Sequence, residues 1–257
     1  MTDLPADLCA DARLAADLAT GAGRLLVAIS AELAFASSAT RGEEGDRRAH
    51  DFLAARLGEE RPDDALLSEE GADDPRRLTA DRVWIVDPLD GTREFGEAGR
   101  VDWAVHVALW QAGGLIAGAV ALPAQSRTFS TAEPVEPPPT GGVLRLVVSR
   151  SRPVPLVTRV AQRLGAELVP LGSAGAKAMS VLQGQSDAYV HSGGMYEWDS
   201  AAPVAVARAA GLHASRTDGS ALVYNRRDPY LPDLVICRPE LADLLLTAIA
   251  DVSVPRA

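Results

Sequence analysis

Residues 83–95 read VWIVDPLDGTREF. The apolar run Val83–Val86 predicts a buried strand. It ends on two acids, Asp87 and Asp90, on a turn that Pro88 and Gly91 restrict and bend. That spacing lets both carboxylates and the carbonyl of Leu89 turn toward one point, as a cradle for a hard cation would. Asp-Pro-x-Asp-Gly is also ordinary turn chemistry. The cradle is favoured because the preceding strand is so apolar and because further acids stand at other element ends.

Those acids are Glu69 and Glu70 after ALLS, Asp199 in YEWDSAAP at a helix start, and Asp46 in EEGDRRAH at another. Like charges sharing a cleft must be neutralised or take up protons. Mg2+ suits them, since it prefers oxygen ligands in near-octahedral order.

Outward from this stretch, residues 7–34 predict a long helix with Leu14, Leu18, Leu25, Ile29 and Leu33 near one face, although Gly21 and Gly23 weaken the pattern. A second helix is expected over 46–57. Strands are expected at 64–70, 81–87, 102–110 and 113–123, with 126–132 pairing beside them. The Pro-rich stretch 133–142 reads as a linker or surface loop. It separates an N-terminal α+β metal-binding lobe, 1–135, from a C-terminal α/β substrate lobe, 142–257, where helices alternate with short strands. There the strands are 143–149, 166–171, 186–191 and 233–237, and the helices 153–165, 176–184, 199–211 and 239–251.

The 257 residues, 47% of them hydrophobic, suffice for a sizeable core. A formal net charge of −10 disfavours nucleic-acid polymers and anionic membranes as partners. Cys9 and Cys237 are too few and too distant for a disulfide framework or a zinc site. The N-terminus lacks a basic segment and an apolar core of signal-peptide type, and no run approaches the ~18 apolar residues of a span. A cytoplasmic protein is expected.

DPLDGTREF, preceded by LLSEEG and followed by EWDSAAPVAVARAAG, resembles the inositol monophosphatase superfamily of magnesium-dependent, lithium-sensitive phosphatases. GSAGAKAMSVLQGQSDAYV points to its bisphosphate nucleotidase (CysQ-type) branch, and within it to actinobacterial members. Haloacid dehalogenase-type phosphatases carry a shorter Asp-x-Asp-Gly-Thr signature, usually near the N-terminus, and fit less well. The resemblance implies a layered αβαβα sandwich with its site between two lobes. It implies a first Mg2+ on Glu69, Asp87 and the Leu89 carbonyl, and a second on Asp87, Asp90 and Asp199. A third, weaker ion would lie near Glu69, Glu70 and Asp46. Thr92 would pair with Asp46 and orient the attacking water, with Asp46, Glu69 and Thr92 as the catalytic set. Backbone N–H groups of Gly91 and Thr92 would meet phosphate oxygens. Mn2+ would substitute for Mg2+, Li+ would inhibit, and a homodimer is expected.

The implied reaction removes the 3′-phosphate of 3′-phosphoadenosine 5′-phosphate, a by-product of sulfate activation. Inositol-specific enzymes carry a Glu seven residues before the Trp-Asp aspartate; here Ser192 stands there, which counts against inositol phosphate. Sugar phosphatase activity, or a metal-binding module without catalysis, are the alternatives. Ser173 and Lys177, four apart at a helix start, are assigned to ribose and the remaining phosphate; a solvated surface lysine is the bland reading. Trp198 reads as packing. Tyr224 and Asn225 are weak candidates for the base, and Arg226 and Arg227 for phosphate. His106 and His191 read as satisfied structural histidines. Glu43 and Glu44 read as a solvated loop. The segment before Asp46 lacks the family's usual lysine and Thr-x-x-Asp pattern; Arg41 is the substitute.

Overall fold

In strand Arg82–Asp90 the side chains alternate between two apolar surroundings. Val83 and Ile85 enter one core, Trp84 and Val86 another, and all four are almost wholly buried. A strand covered on both faces has no reason to alternate polar with apolar residues, which is why the run reads as continuous. The computed structural model describes residues 6–139 and 141–253.

The first sheet comprises β1 (Ala65–Ser68), β2 (Arg82–Asp90), β3 (Ala104–Gln111), β4 (Gly114–Leu122) and β5 (Arg127–Ser130), in that spatial order. β1 runs parallel to β2; the others pair antiparallel. Helices α1 (Ala6–Glu32) and α2 (Ser38–Glu60) cover the face that holds Trp84 and Val86. A five-residue helix α3 (Thr92–Gly96) follows β2.

The second sheet has the order β7-β6-β8-β10-β9, from β6 (Arg145–Ser149), β7 (Glu167–Leu171), β8 (Ala188–Tyr196), β9 (His213–Ser215) and β10 (Tyr230–Cys237). Helices α5 (Ala174–Leu182) and α6 (Glu197–Ala209) lie between the two sheets, in one core with Val83 and Ile85 of the first and Leu234 and Ile236 of the second. Helices α4 (Pro155–Leu164) and α7 (Ala242–Ser253) close the far side over Val148, Val190 and Val235. The layers are therefore α, β, α, β, α.

Three departures from the sequence reading have physical causes. Helix α2 begins at Ser38, not Asp46, because Ser37 caps it by accepting from the Thr40 N–H at 3.0 Å. Asp46 thus lies inside a helix, and Glu43 and Glu44 sit on a helix rather than in a loop. Gly42 and Gly45 hid this helix, yet they are used for close approach: a Cβ would come within 2.6 Å of Thr92 Cγ2 at Gly42 and 2.8 Å of Phe95 Cε1 at Gly45. The short strand β9, pairing antiparallel with β10, carries no pattern by which it was recognised. Finally, α1 is by length and composition apolar enough for a span over Cys9–Glu32, with mean hydropathy 1.4. It is a core helix: Leu14, Leu18, Leu26 and Ile29 are buried in the α1–α2–sheet core. Leu25 and Leu33, placed on that face by spacing, are only half-buried there.

Candidate active site

Glu69 follows β1, Asp87 and Asp90 close β2, and Asp199 lies in the first turn of α6, while Asp46 projects from within α2. The β2–β3 ladder shifts register between Asp87 and Asp90, which releases the Asp87–Asp90 segment from regular pairing. Asp87 Oδ1 accepts from the Leu89 N–H at 3.1 Å, while among the described residues Asp87 Oδ2 is buried with no hydrogen-bond partner. Gly91, at φ 91°, then turns the chain into α3, a conformation an L side chain resists. Asp199, in the first turn of α6, accepts from the Tyr196 N–H at 2.6 Å through Oδ2. Asp87, Asp90 and Asp199 offer oxygens that all lie within 4.8 Å of one another.

Asp90 does a second job. Its two oxygens accept from the N–H groups of Ala174 (3.1 Å) and Gly175 (2.6 Å), the first turn of α5. Burial pushes the Asp90 carboxyl up, but His106, Lys177 and the Gly175 N–H outweigh it and hold it below the usual range. The other acids go the opposite way. Burial, with the charges of Glu69, Asp90 and Asp199, drives Asp87 well above the carboxylate range. Burial and the charge of Asp90 lift Asp199 to about 6. Glu69, at the end of β1 and open to solvent on one side, is raised to about 7 by partial burial and the charge of Asp199. Asp46 is raised to about 7 by burial and by Glu70 and Glu69.

Thr92 Oγ1 lies 3.3 Å from Asp46 Oδ1 and 3.4 Å from the Leu89 carbonyl, so its proton faces two acceptors. The Leu89 side chain packs into the α1–α2 core. The cleft above these groups encloses about 500 Å³, lined by both sheets' loops, among them Glu69, Asp90, Gly91, Thr92, Ser173 and Asp199.

Of the remaining residues singled out in the sequence, Ser173, Lys177 and Ser192 line the cleft, whereas Tyr224, Asn225, Arg226 and Arg227 do not. Lys177 is buried, not a solvated lysine; its Nζ donates to the carbonyls of Gly172 and of Ser173 (2.7 Å) and so clamps the loop before α5. Burial lowers its pKa against the pull of Asp90 and Glu94. Ser173 is the N-cap of α5, its Oγ accepting from the Ala176 N–H at 2.9 Å. Tyr224 is buried with its hydroxyl on Ser200 Oγ (3.2 Å), and Asn225 bonds Glu197 and Arg77; neither lines the cleft. The Arg226 and Arg227 carbonyls accept from Arg77, which also pairs with Asp73 and is wholly buried. No periodicity marked Arg77 as a buried clamp. Arg41 donates to the Gly96 carbonyl and to the Ala34 carbonyl at 3.3 Å, structural roles rather than a cleft cation. His191 Nε2 meets the Gly194 carbonyl at 2.9 Å. Trp198 stacks on Tyr196, ring centroids 4.8 Å apart. His106 is buried as a structural histidine, its Nδ1 3.0 Å from the Trp198 carbonyl and its Nε2 3.1 Å from Asp90 Oδ2, though not aligned as a regular hydrogen bond.

Buried carboxylates held together against their own repulsion, one with an orphaned oxygen, form an oxygen-only donor set that fits a hard divalent cation. Comparison with known proteins agrees. The inositol monophosphatase family model matches residues 15–138 and 139–253, nearly the whole chain. The chain belongs to the inositol monophosphatase family. The family is one of metal-dependent phosphatases of small phosphate esters, and this member is such a phosphatase. It is 54% identical over 255 residues, 94% of each chain, to a 3′-phosphoadenosine 5′-phosphate phosphatase of Mycobacterium leprae. It is 33% identical to the 3′(2′),5′-bisphosphate nucleotidase CysQ of Escherichia coli, over 72% of this chain and 80% of that one. Among solved structures, CysQ of Bacteroides thetaiotaomicron superposes with a TM-score of 0.76 at 27% identity, covering 89% of this chain and 97% of the other. The αβαβα layering is thus the family's architecture.

Proposed function

We propose that this family member is an Mg2+-dependent 3′(2′),5′-bisphosphate nucleotidase that converts 3′-phosphoadenosine 5′-phosphate to AMP and phosphate. The observation that carries the chemistry is the meeting of Asp87, Asp90 and Asp199 from separate segments, with Asp87 Oδ2 unpartnered. The 54% identity to an enzyme of that name carries the substrate.

Glu69, Asp87 and the Leu89 carbonyl would hold one ion; Asp87, Asp90 and Asp199 a second; Glu69, Glu70 and Asp46 a third. When bound, the cations supply Lewis acidity, neutralising phosphoryl charge and favouring ionisation of a water near neutral pH. The chain's own groups do the rest. Thr92, donating toward Asp46, has lone pairs free to accept from a water and orient it. Asp46, 3.3 Å from the Thr92 hydroxyl, takes the proton passed through Thr92 as general base. The Gly91 and Thr92 N–H groups donate to phosphate oxygens. Ser173 and Lys177 shape the substrate side by fixing the 172–173 loop, Ser173 as a wall of the cleft. Ser192, on the cleft wall, offers no carboxylate to sugar hydroxyls, which supports the nucleotide over inositol phosphate.

We also infer that Mn2+ substitutes, that Li+ inhibits, that each chain divides into a metal-binding lobe 1–135 and a substrate lobe 142–257, and that the enzyme is a cytoplasmic homodimer without membrane or nucleic-acid partners. The resemblance and the net charge of −10 support these readings. A phosphate-release assay with Mg2+ across adenosine bisphosphate, inositol phosphate and fructose bisphosphate tests the function. Preference for the nucleotide is expected; faster release from either sugar phosphate overturns the substrate assignment, and no metal-dependent release overturns the whole.

A further inference from the structure

His106 stands directly opposite Asp87 in the β2–β3 ladder and is fully buried. Its Nε2 lies 3.1 Å from Asp90 Oδ2, and its Nδ1 lies 3.0 Å from the Trp198 carbonyl and 4.0 Å from Asp87 Oδ2. Trp198 immediately precedes Asp199 in the first turn of α6. One ring therefore touches Asp87, Asp90 and the backbone that carries Asp199. The opposite wall is Gly175, where any Cβ would overlap Nε2, and the Gly175 N–H itself bonds Asp90. The space is shaped for this ring.

We propose that His106 is the positioning residue that sets the spacing of Asp87, Asp90 and Asp199, and so the affinity for the cation they share. This rests on the metal reading above. A carbonyl only accepts, so Nδ1 carries a proton and anchors the ring to α6. The ring then presents Nε2 to Asp90 and bars that carboxylate from rotating toward β3, while leaving Asp87 Oδ2 for the cation. Partners behind metal ligands typically contribute about 10- to 100-fold in metal affinity.

The test is Mn2+ binding to the full chain, by calorimetry and by electron paramagnetic resonance, with no substrate present. His106→Gln places an amide near Nε2 and is expected to stay within about threefold of wild type. His106→Asn keeps only the Trp198 contact, and His106→Leu neither; both are expected to weaken one Mn2+ site by about tenfold or more. Circular dichroism checks folding. Should the leucine variant not fold, the Gln–Asn pair decides. Unchanged affinity in Asn, or equal losses in Gln and Asn, overturns the inference while the metal site stands. Absence of Mn2+ binding in wild type overturns the metal reading, and this inference with it.

Discussion

The carboxylate of Asp87 is buried, and one of its oxygens meets no donor. Leaving such a group unpaired is costly, and a bound cation is the partner proposed for it. Replacing Asp87 by Asn removes charge at the centre of the cluster. Since even residues behind metal ligands typically matter 10- to 100-fold, turnover should fall by more than about 100-fold at saturating Mg2+; near wild-type rates in a phosphate-release assay would refute its role. Thr92→Val removes the relay to Asp46. General-base contributions are about 10²–10⁴-fold, so kcat should drop by that order with KM little changed in a steady-state phosphate-release assay. A KM effect alone would show that Thr92 only binds substrate. At this scale the acids were legible because several of them, in separate segments, stand beside apolar runs, and like charges that share a cleft must be neutralised or take up protons. Lys177 was not: nothing in GSAGAK reveals that two carbonyls turn inward to meet its ammonium, which removes it from solvent. The contacts of His106, read as structural, were illegible for a related reason, since its partners lie at positions 87, 90 and 198, far from it in sequence.

Elements bring these residues together through close contacts at glycines. Helix α2 reaches α3 only because Gly42 and Gly45 lack side chains. Gly42→Ala would gain about 1 kcal/mol in helix propensity. A Cβ 2.6 Å from Thr92 Cγ2 would however overpack the contact, at about 1–3 kcal/mol. The clash should win, parting Asp46 from Thr92: activity should fall while the melting temperature drops only by a few degrees. A stabilised and fully active variant would show that the contact is slack. Gly118 on β4 plays the same part against α6, where a Cβ would sit 2.7 Å from Ala205 Cβ. The glycines that weakened the reading of α1 also mark close approaches, Gly21 to Phe52 and Gly23 to Pro123. The start of α2 was hidden because glycine counts against a helix locally, while the packing that overrides it is tertiary.

The molecule as a whole places two sheets around a shared helical layer and gathers like charge at its edge. Proton linkage follows with a definite sign. Glu69, Asp46 and Asp199 have folded-state values of about 7, 7 and 6, above the ordinary carboxylate range. The folded chain therefore binds more protons than the unfolded chain between about pH 4 and 7, and metal-free stability must fall as pH rises through that window. Divalent cations bind the deprotonated cluster and should cancel the fall. Thermal unfolding in chelator should thus show a melting temperature decreasing from pH 5 to 7.5, with Mg2+ flattening the trend; a metal-free midpoint that rises over this range would contradict the shifts. The α/β character of the C-terminal half was readable from alternating helices and strands, and the αβαβα layering followed from the family resemblance, whereas the placement of α5 and α6 between the sheets depends on contacts that no local pattern encodes. The most direct measurement is anomalous diffraction from crystals soaked in Mn2+. A peak coordinated jointly by Asp87, Asp90 and Asp199 is predicted; a fully occupied Mn2+ elsewhere with none among these three carboxylates would contradict it.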